Sequence, residues 1–348
     1  MPKTKNHSVM IWLFIFAFVV AFLVVFGGYV RLTRSGLSVV EWNPVSGVFP
    51  PIGEQAWDIE FAKYQLTPEF QQVNNNMTLE GYKRIFYIEW LHRLIARLAG
   101  FFYAIPVFYF LAKKAIPLKE FGVYVVMGLL FVSQAFMGWF MVASGLIDRP
   151  SVSHIRLTIH LLFALSLFAL SLWVALGHRF GFPDYSKKVK WSGFSKLAAT
   201  GVGVLLTQIS YGGFTAGLKA GHVSNTWPLM FGSWLPSGLF DKAIYLLESP
   251  QTIVYVHRWF AFVALTFGLY LYYAAWKYDA PRELKNALLW ILGIGSLQIT
   301  FGVYVVLYNV QIWLALTHQL TAVLLLGMSL FFVHRLRDLD YVRVMKEI

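Results

Sequence analysis

The chain has 348 residues, 58% of them hydrophobic and 13% charged, where a soluble domain would carry about a quarter charged residues. Its net charge is +12, but Lys and Arg lie in short clusters beside long apolar runs, a pattern that orients membrane spans and does not grip nucleic acid. There is no cysteine, which excludes disulfides, thiolate metal sites, thiol nucleophiles and Cys-x-x-Cys-His haem attachment, and leaves His and carboxylates to hold any metal.

Apolar runs of about twenty residues match the hydrocarbon thickness of a bilayer. Hydropathy predicts eight spanning helices, near 9–30, 85–112, 121–143, 155–177, 194–217, 252–275, 286–308 and 312–334. From Val9 to Val30 the first run has Tyr29 as its only ionisable side chain, and it closes on Phe26-Gly27-Gly28-Tyr29-Val30 before Arg31. It is too long for a signal peptide and lacks a small-residue cleavage site, so it reads as a retained span. No Arg- and Ser-rich presequence precedes it, and the expected location is a bacterial inner (cytoplasmic) membrane. Lys3 and Lys5; Lys113, Lys114 and Lys119; Arg179, Lys187, Lys188, Lys190 and Lys196; Lys277, Arg282 and Lys285; and Arg335, Arg337, Arg343 and Lys346 all fall on one side. That places both termini in the cytoplasm and turns the 31–84 and 218–251 segments outward.

The two halves of the chain are related. Gly27-Gly28-Tyr29 through Gly36 to Trp42 matches Gly212-Gly213-Phe214 through Gly221 to Trp227 at an offset of 185. His92-Arg93 matches His257-Arg258 at 165, Gln134 and Gly138 match Gln298 and Gly302 at 164, and His160 matches His318 at 158. Four helices per repeat is an even number, so both halves insert the same way round. The expected fold is an all-α integral membrane protein with eight transmembrane helices, arranged as two tandem, pseudo-twofold-related four-helix bundles, 1–178 and 179–348, about an axis along the membrane normal.

His92, His160, His257 and His318 fall on the second, fourth, sixth and eighth helices, each roughly 8–12 Å deep from the outer end at the helical rise. Two imidazoles at one depth on facing helices can take both axial positions of a haem iron. This gives one pair per bundle, His92 with His160 and His257 with His318. A single buried histidine would more simply bond a neighbouring helix; four at matched depths in a duplicated pattern point to ligands.

On the second helix Glu89, His92, Arg93 and Arg97 share one face. A carboxylate one turn from a ligand can accept a proton, and it can also simply pair with Arg93. At the place of Glu89 the sixth helix carries Val254, so chemistry is expected in the first half and a resident cofactor in the second. Arg93 and Arg258 either meet haem propionates or snorkel and pair locally. The glycine pairs allow close approach of a helix or a macrocycle, commonly plain helix packing, and Gln134 and Gln298 read as interhelical hydrogen-bond donors. Gly201-Val202-Gly203 sits inside an apolar span and is a packing feature, not a nucleotide loop. The acidic 41–80 stretch, with Glu41, Glu54, Asp58, Glu60, Glu69 and Glu80, forms either a cap over the first site or a solvated connector.

Gly27 to Ser38, with Glu41-Trp42-Asn43-Pro44 after it, resembles the first-helix signature of haem A synthases, and Glu89-Trp90-Leu91-His92-Arg93 resembles their second-helix motif. The resemblance covers almost the whole chain and is closest to the cysteine-free branch of proteobacteria and mitochondria. It implies oxidation of the C8 methyl of haem O to the formyl group of haem A by successive hydroxylations, with oxygen from water, for cytochrome c oxidase biogenesis. His92 and His160 would hold the substrate haem, Glu89 would assist proton removal, and His257 with His318 would hold a haem b. The implied partners are haem O synthase and a redox partner that accepts electrons; a homo-oligomer is compatible with it. Two rival readings are a non-catalytic di-haem membrane cytochrome b, which gives no reason for the Glu89–Val254 asymmetry, and a repeat-built transporter, which predicts no tightly bound haem.

Overall fold

The structure, a computed structural model, describes residues 6–43, 45–181 and 191–347. Lys3, Lys5, Pro44, Lys187, Lys188 and Lys190 of the sequence reading lie outside them, as do the side chains of Lys119, Arg343 and Lys346. The described residues are helical, with no β-strand among them. Eight helices among the described residues are long and apolar enough to cross a membrane, and the protein is a multi-pass membrane protein. By contact the chain divides into two compact units, one of residues 18–167, the other of residues 1–17 with 168–348.

The first span is α1 (His7–Leu32), begun by Asn6, whose side chain accepts from the Val9 amide at 3.0 Å, as an N-cap should. Val9, Leu13, Phe16, Val20 and Val24 form its buried stripe, and Ile11, Ile15, Phe18 and Phe22 stay exposed. That is the reverse of a soluble helix's polar face and what lipid requires.

The connection to the next span is folded. It holds α2 (Glu54–Gln65) and α3 (Pro68–Gln72), started by Gly53 at φ 84° and by the Thr67 side chain, which accepts from the Phe70 amide. Trp57, Tyr64, Tyr82 and Phe86 form a buried aromatic core, with Trp57–Phe86 and Tyr64–Tyr82 ring centroids 5.1 and 5.0 Å apart. Tyr82 and Phe86 belong to α4 (Leu79–Ala112), so the acidic stretch is a cap packed on the start of α4 and not a solvated connector. Its acids are largely spent on cations. Buried Glu69 meets Arg34 at 3.5 Å, Lys63 bridges Glu41 and Glu60 at 3.0 and 2.8 Å, and Glu80 pairs with Lys83 at 2.7 Å. The hydrogen bonds from Lys63 and then Asn43 hold the Glu41 carboxyl below its ordinary range. The Glu41–Lys63 tie is therefore fully present above the ordinary carboxylate range and is lost as pH falls through the lowered value. Because Glu41 is half exposed, its loss should cost under about 1 kcal/mol, visible as faster proteolysis within 41–65 at acid pH while the spans stay intact.

α4 begins six residues before the apolar stretch predicted, because the Thr78 side chain accepts from the Gly81 amide and starts the helix early. α5 (Phe121–Ala143) packs on α4, where the Tyr103 hydroxyl donates to the Tyr124 carbonyl. α6 (His154–Phe180) follows, and the division between the two units falls within it at 167/168. α7 (Gly193–Gly217) is capped by Ser192. A short α8 (Tyr245–Glu248) precedes α9 (Pro250–Lys277), which has Ser249 as its cap and Pro250 at its first turn. α10 (Arg282–Leu307) and α11 (Ile312–Glu347) follow. α7 packs on α9, α9 on α10, α10 on α11 and α11 on α7, which closes a four-helix bundle. Phe194, Ala198, Leu271, Ala275, Leu284, Leu288 and Phe332 lie in its buried core.

Where hydropathy ends α11 at 334, the structure continues it to Glu347. The charges that terminate the apolar signal hold the extension in place. Asp340 Oδ2 accepts from the Ser195 hydroxyl at 2.6 Å and the Ser192 amide at 3.0 Å, an anion at the start of α7 where the helix dipole favours it. Arg335 pairs with Asp338 at 2.6 Å.

Candidate functional site

Each of the four histidines rests on a glycine of the preceding span. A Cβ built on Gly27 of α1 would lie 3.3 Å from His92 Nε2 on α4, and one on Gly138 of α5 would lie 3.3 Å from His160 Cε1 on α6. On Gly212 of α7 it would come within 3.1 Å of His257 Cε1 on α9, and on Gly302 of α10 within 3.0 Å of His318 Cε1 on α11. The glycines thus remove the side chain that would occupy the imidazole's place, at equivalent positions in both halves. Plain helix packing is the commoner expectation for Gly27 and Gly212; at all four glycines the close partner is a ring. Gly302→Ala should push the His318 ring by a few tenths of an ångström, because a Cβ–carbon contact of 3.0 Å cannot be kept. The expected result is a folded variant whose structure shows the His318 ring displaced by that amount; an unmoved ring would contradict it.

In the second half the two rings come together. His257 and His318 have centroids 6.3 Å apart and planes at 87°. Imidazole–metal bonds are about 2.0–2.1 Å, so rings at this separation can share one metal atom. Around them His257 Nδ1 lies 3.2 Å from Gln208 Nε2, which also donates to the His257 carbonyl at 2.9 Å. His318 Nδ1 lies 3.0 Å from the Gln298 carbonyl oxygen, and its Nε2 lies 3.3 Å from Gln298 Nε2. The Gln298 side-chain oxygen accepts from Thr321. Gln298 is therefore the interhelical group expected of it, and it also touches a candidate ligand. Gln208 was not singled out in the sequence. Its signal was a polar side chain inside an apolar span, hidden because the repeat puts Leu23 at its equivalent place.

In the first half the Leu23 backbone does part of that work, its carbonyl oxygen lying 3.3 Å from His92 Nε2, and the Phe26 ring packs edge-on at 5.6 Å. Among the described residues His160 Nδ1 and Gln134 Nε2 are buried without a hydrogen-bond partner. Orphaned buried polar atoms are rare in a settled protein and fit a place meant for a bound group. All four histidines are half-buried. Among the described residues no cluster of three or more His, Asp or Glu is gathered for a bare metal ion. Two imidazoles seated on glycines suit a planar macrocycle better than a caged ion. The residues fit haem.

Glu89 is the most heavily bonded side chain of the site. It is 3% exposed. Its Oε1 meets Arg93 at 2.5 Å, and its Oε2 accepts from the Ser38 amide and hydroxyl at 2.8 Å each and the Val39 amide at 2.9 Å. The helical pairing with Arg93 is thus present, with three further donors from the segment after α1. Tyr82 adds a hydrogen bond to the Ser38 carbonyl at 3.2 Å. Val254, the equivalent on α9, is buried in an apolar cluster with Ala220 and Met230, so the asymmetry between the halves is one of packing as well as charge.

The arginines beside the histidines clamp backbone. Arg93 donates to the Val39 carbonyl at 3.1 Å, and Arg258 donates to the Ser224 and Thr226 carbonyls at 2.7 and 3.1 Å. Val39 and Ser224 are separated by the repeat offset of 185, so the same clamp recurs. Arg258 Nε has no partner among the described residues.

Residues 10–330 match the family model described as cytochrome oxidase assembly protein. Curated relatives named heme A synthase align along nearly their whole length. The protein from Flavobacterium psychrophilum is 40% identical over 95% of this chain and 98% of its own. That from Caulobacter vibrioides is 39% identical over 96% and 97%, and that from the Wolbachia of Brugia malayi 37% identical over 97% and 99%.

Proposed function

From the premise that this chain belongs to the cytochrome oxidase assembly protein family, which these heme A synthases share, we propose that it oxidises the C8 methyl group of haem O to the formyl group of haem A. The balanced change is methyl plus water to formyl plus four protons and four electrons. It proceeds by successive hydroxylations with water-derived oxygen, and the electrons leave to a redox partner.

The observation that carries this reading is the imidazole-on-glycine seat repeated at His92, His160, His257 and His318, with a buried carboxylate one turn away at His92 alone. We assign His92 and His160, in the 1–178 half, to the substrate haem O, and His257 and His318, in the 179–348 half, to a resident haem b. The haem b supplies a one-electron relay when bound. The chain supplies position and proton handling. The glycines fix where each ring sits, Gln208 and Gln298 restrain the second pair, and Glu89 takes a proton released from the substrate side. Ser38, whose hydroxyl donates to Glu89, helps hold that carboxylate in place. Arg258 keeps its Nε as a donor for a propionate. The setting is a bacterial inner membrane with both termini cytoplasmic, and haem O comes from a haem O synthase.

The test is co-expression with a haem O-producing enzyme in a host that lacks haem A and has a competent redox partner, followed by extraction and mass detection of haems. Haem A or its hydroxylated precursor, appearing only with the intact chain, is the expected result. Haem O left unchanged beside a haem-loaded chain would overturn the assignment in favour of an electron-transfer cytochrome.

A further inference from the structure

The segment that leaves the Glu89 clasp does not run outward from the helices. It runs along α4 toward the membrane interior. Ser38 and Val39 are held at Glu89, the Val39 carbonyl at Arg93, and the Asn43 carbonyl accepts from Arg97 Nη2 at 3.0 Å. Gly47 lies against the same guanidinium, 3.1 Å from where its Cβ would be. Each successive contact is one turn further down α4. Arg97 precedes Ala112, the last residue of α4, by about 22 Å at the helical rise. Exposed Lys113 and Lys114 follow Ala112 and mark one surface of a hydrocarbon layer about 30 Å thick. Arg97 therefore starts inside that layer and reaches up to its edge, as a snorkelling cation does, and the loop backbone meets it there.

What the segment presents at that level is apolar. Val45, Phe49 and Ile52 are 84%, 75% and 81% exposed, and no charged residue occurs between Glu41 and Glu54. In water such a cluster would be an unexplained patch. On α4, from the level of Arg97 downward, Leu98, Phe101 and Ile105 are likewise 55%, 64% and 64% exposed. The backbone is adapted as well. Pro50 and Pro51 have no N–H, and the amides of Gly47, Val48 and Phe49 bond to Asn43, Val45 and Ser46, so few donors are left to lose in lipid. Trp42 stands at the upper end with the Arg93 guanidinium 5.6 Å from its ring centre, an aromatic at the level where membrane proteins place them.

We propose that residues 45–52 are a membrane-immersed segment, seated at the headgroup–acyl boundary of the leaflet on the side of the 31–84 connection, with Val45, Phe49 and Ile52 in contact with lipid. The inference does not depend on the proposed reaction. The absence of cysteine makes it directly testable in the full chain reconstituted into lipid bilayers, with a single spin label at Val45→Cys, Phe49→Cys or Ile52→Cys. Controls are Glu54→Cys and Asp58→Cys on the exposed side of α2. Power saturation compares collision with oxygen, which concentrates in lipid, and with a water-soluble nickel chelate. Oxygen should exceed the chelate several-fold at 45, 49 and 52, with the ratio reversed at 54 and 58. Chelate access at 45, 49 and 52 equal to the controls would overturn the proposal, and so would access by neither agent, which would mean that protein covers the segment. All three positions are so exposed that the labels should not disturb folding, and a circular-dichroism spectrum of each labelled chain identical to that of the unlabelled protein checks this.

Discussion

Glu89→Gln is expected to slow haem O oxidation by about 10²–10⁴-fold, the range for a removed proton acceptor, while the protein keeps its bound haem and its place in the membrane. The amide is chosen over Ala for a physical reason. Glu89 has four donors around it, and Arg93 beside it has a side chain only 13% exposed. Removing the carboxylate altogether would strand that cation, at a cost of about 3–5 kcal/mol, and release the Ser38–Val39 backbone, so a dead Glu89→Ala variant would say little about chemistry. Glutamine keeps the volume and one acceptor oxygen. Ser38→Ala is the companion variant, since it removes one donor from the clasp and leaves the carboxylate. Its rate should fall by no more than about tenfold, in keeping with one lost hydrogen bond. Initial rates of haem A formation, with the Soret absorbance per protein as the check on loading, separate the two effects. A Glu89→Gln enzyme running near the parental rate would reduce Glu89 to a loop anchor.

His257→Ala and His318→Ala should each abolish binding of the resident haem, lowering the haem content of purified protein by about one per chain and stopping turnover because the electrons have no route out. The two rings are already 6.3 Å apart and neither can be replaced by a neighbour, since no cysteine exists and the adjacent polar side chains, Gln208 and Gln298, are amides. Exogenous imidazole should restore part of the Soret band in either variant, because alanine leaves a ring-sized space beside Gly212 or Gly302. Full haem content in both variants would remove the second pair from the assignment. Measuring haem directly keeps this result separate from the loss of activity that any misfolded variant would show.

Much of this was legible in the sequence, and the exceptions have definite causes. All eight spans announced themselves because lipid demands apolar length. Their ends did not, since Thr78 and the Asp340–Ser192–Ser195 contacts act through hydrogen bonds that hydropathy ignores. The histidines were visible as costly residues at matched depth, and Glu89 through its missing counterpart at Val254. Gln208 was missed because the repeat comparison that exposed the others aligns it with Leu23, whose backbone carbonyl stands in for it. The order in the 31–84 connection was hidden for another reason. Its aromatic core pairs Trp57 and Tyr64 with Tyr82 and Phe86 across a turn, and no periodicity within α2 reveals a partner that lies on another helix.

Each of the four imidazoles of the candidate site rests on a glycine of the span made immediately before its own: α1 before α4, α5 before α6, α7 before α9, α10 before α11. Synthesis runs from the N-terminus, and helices enter the membrane in that order. Each ring therefore has its seat waiting when its helix arrives, and no seat needs a distant part of the chain. Insertion can deliver four helix pairs, each with its imidazole already on its glycine, before the rest of the chain is made. Under the proposed assignment, each ring is then seated before its haem arrives, and loading asks only for helix pairs to come together.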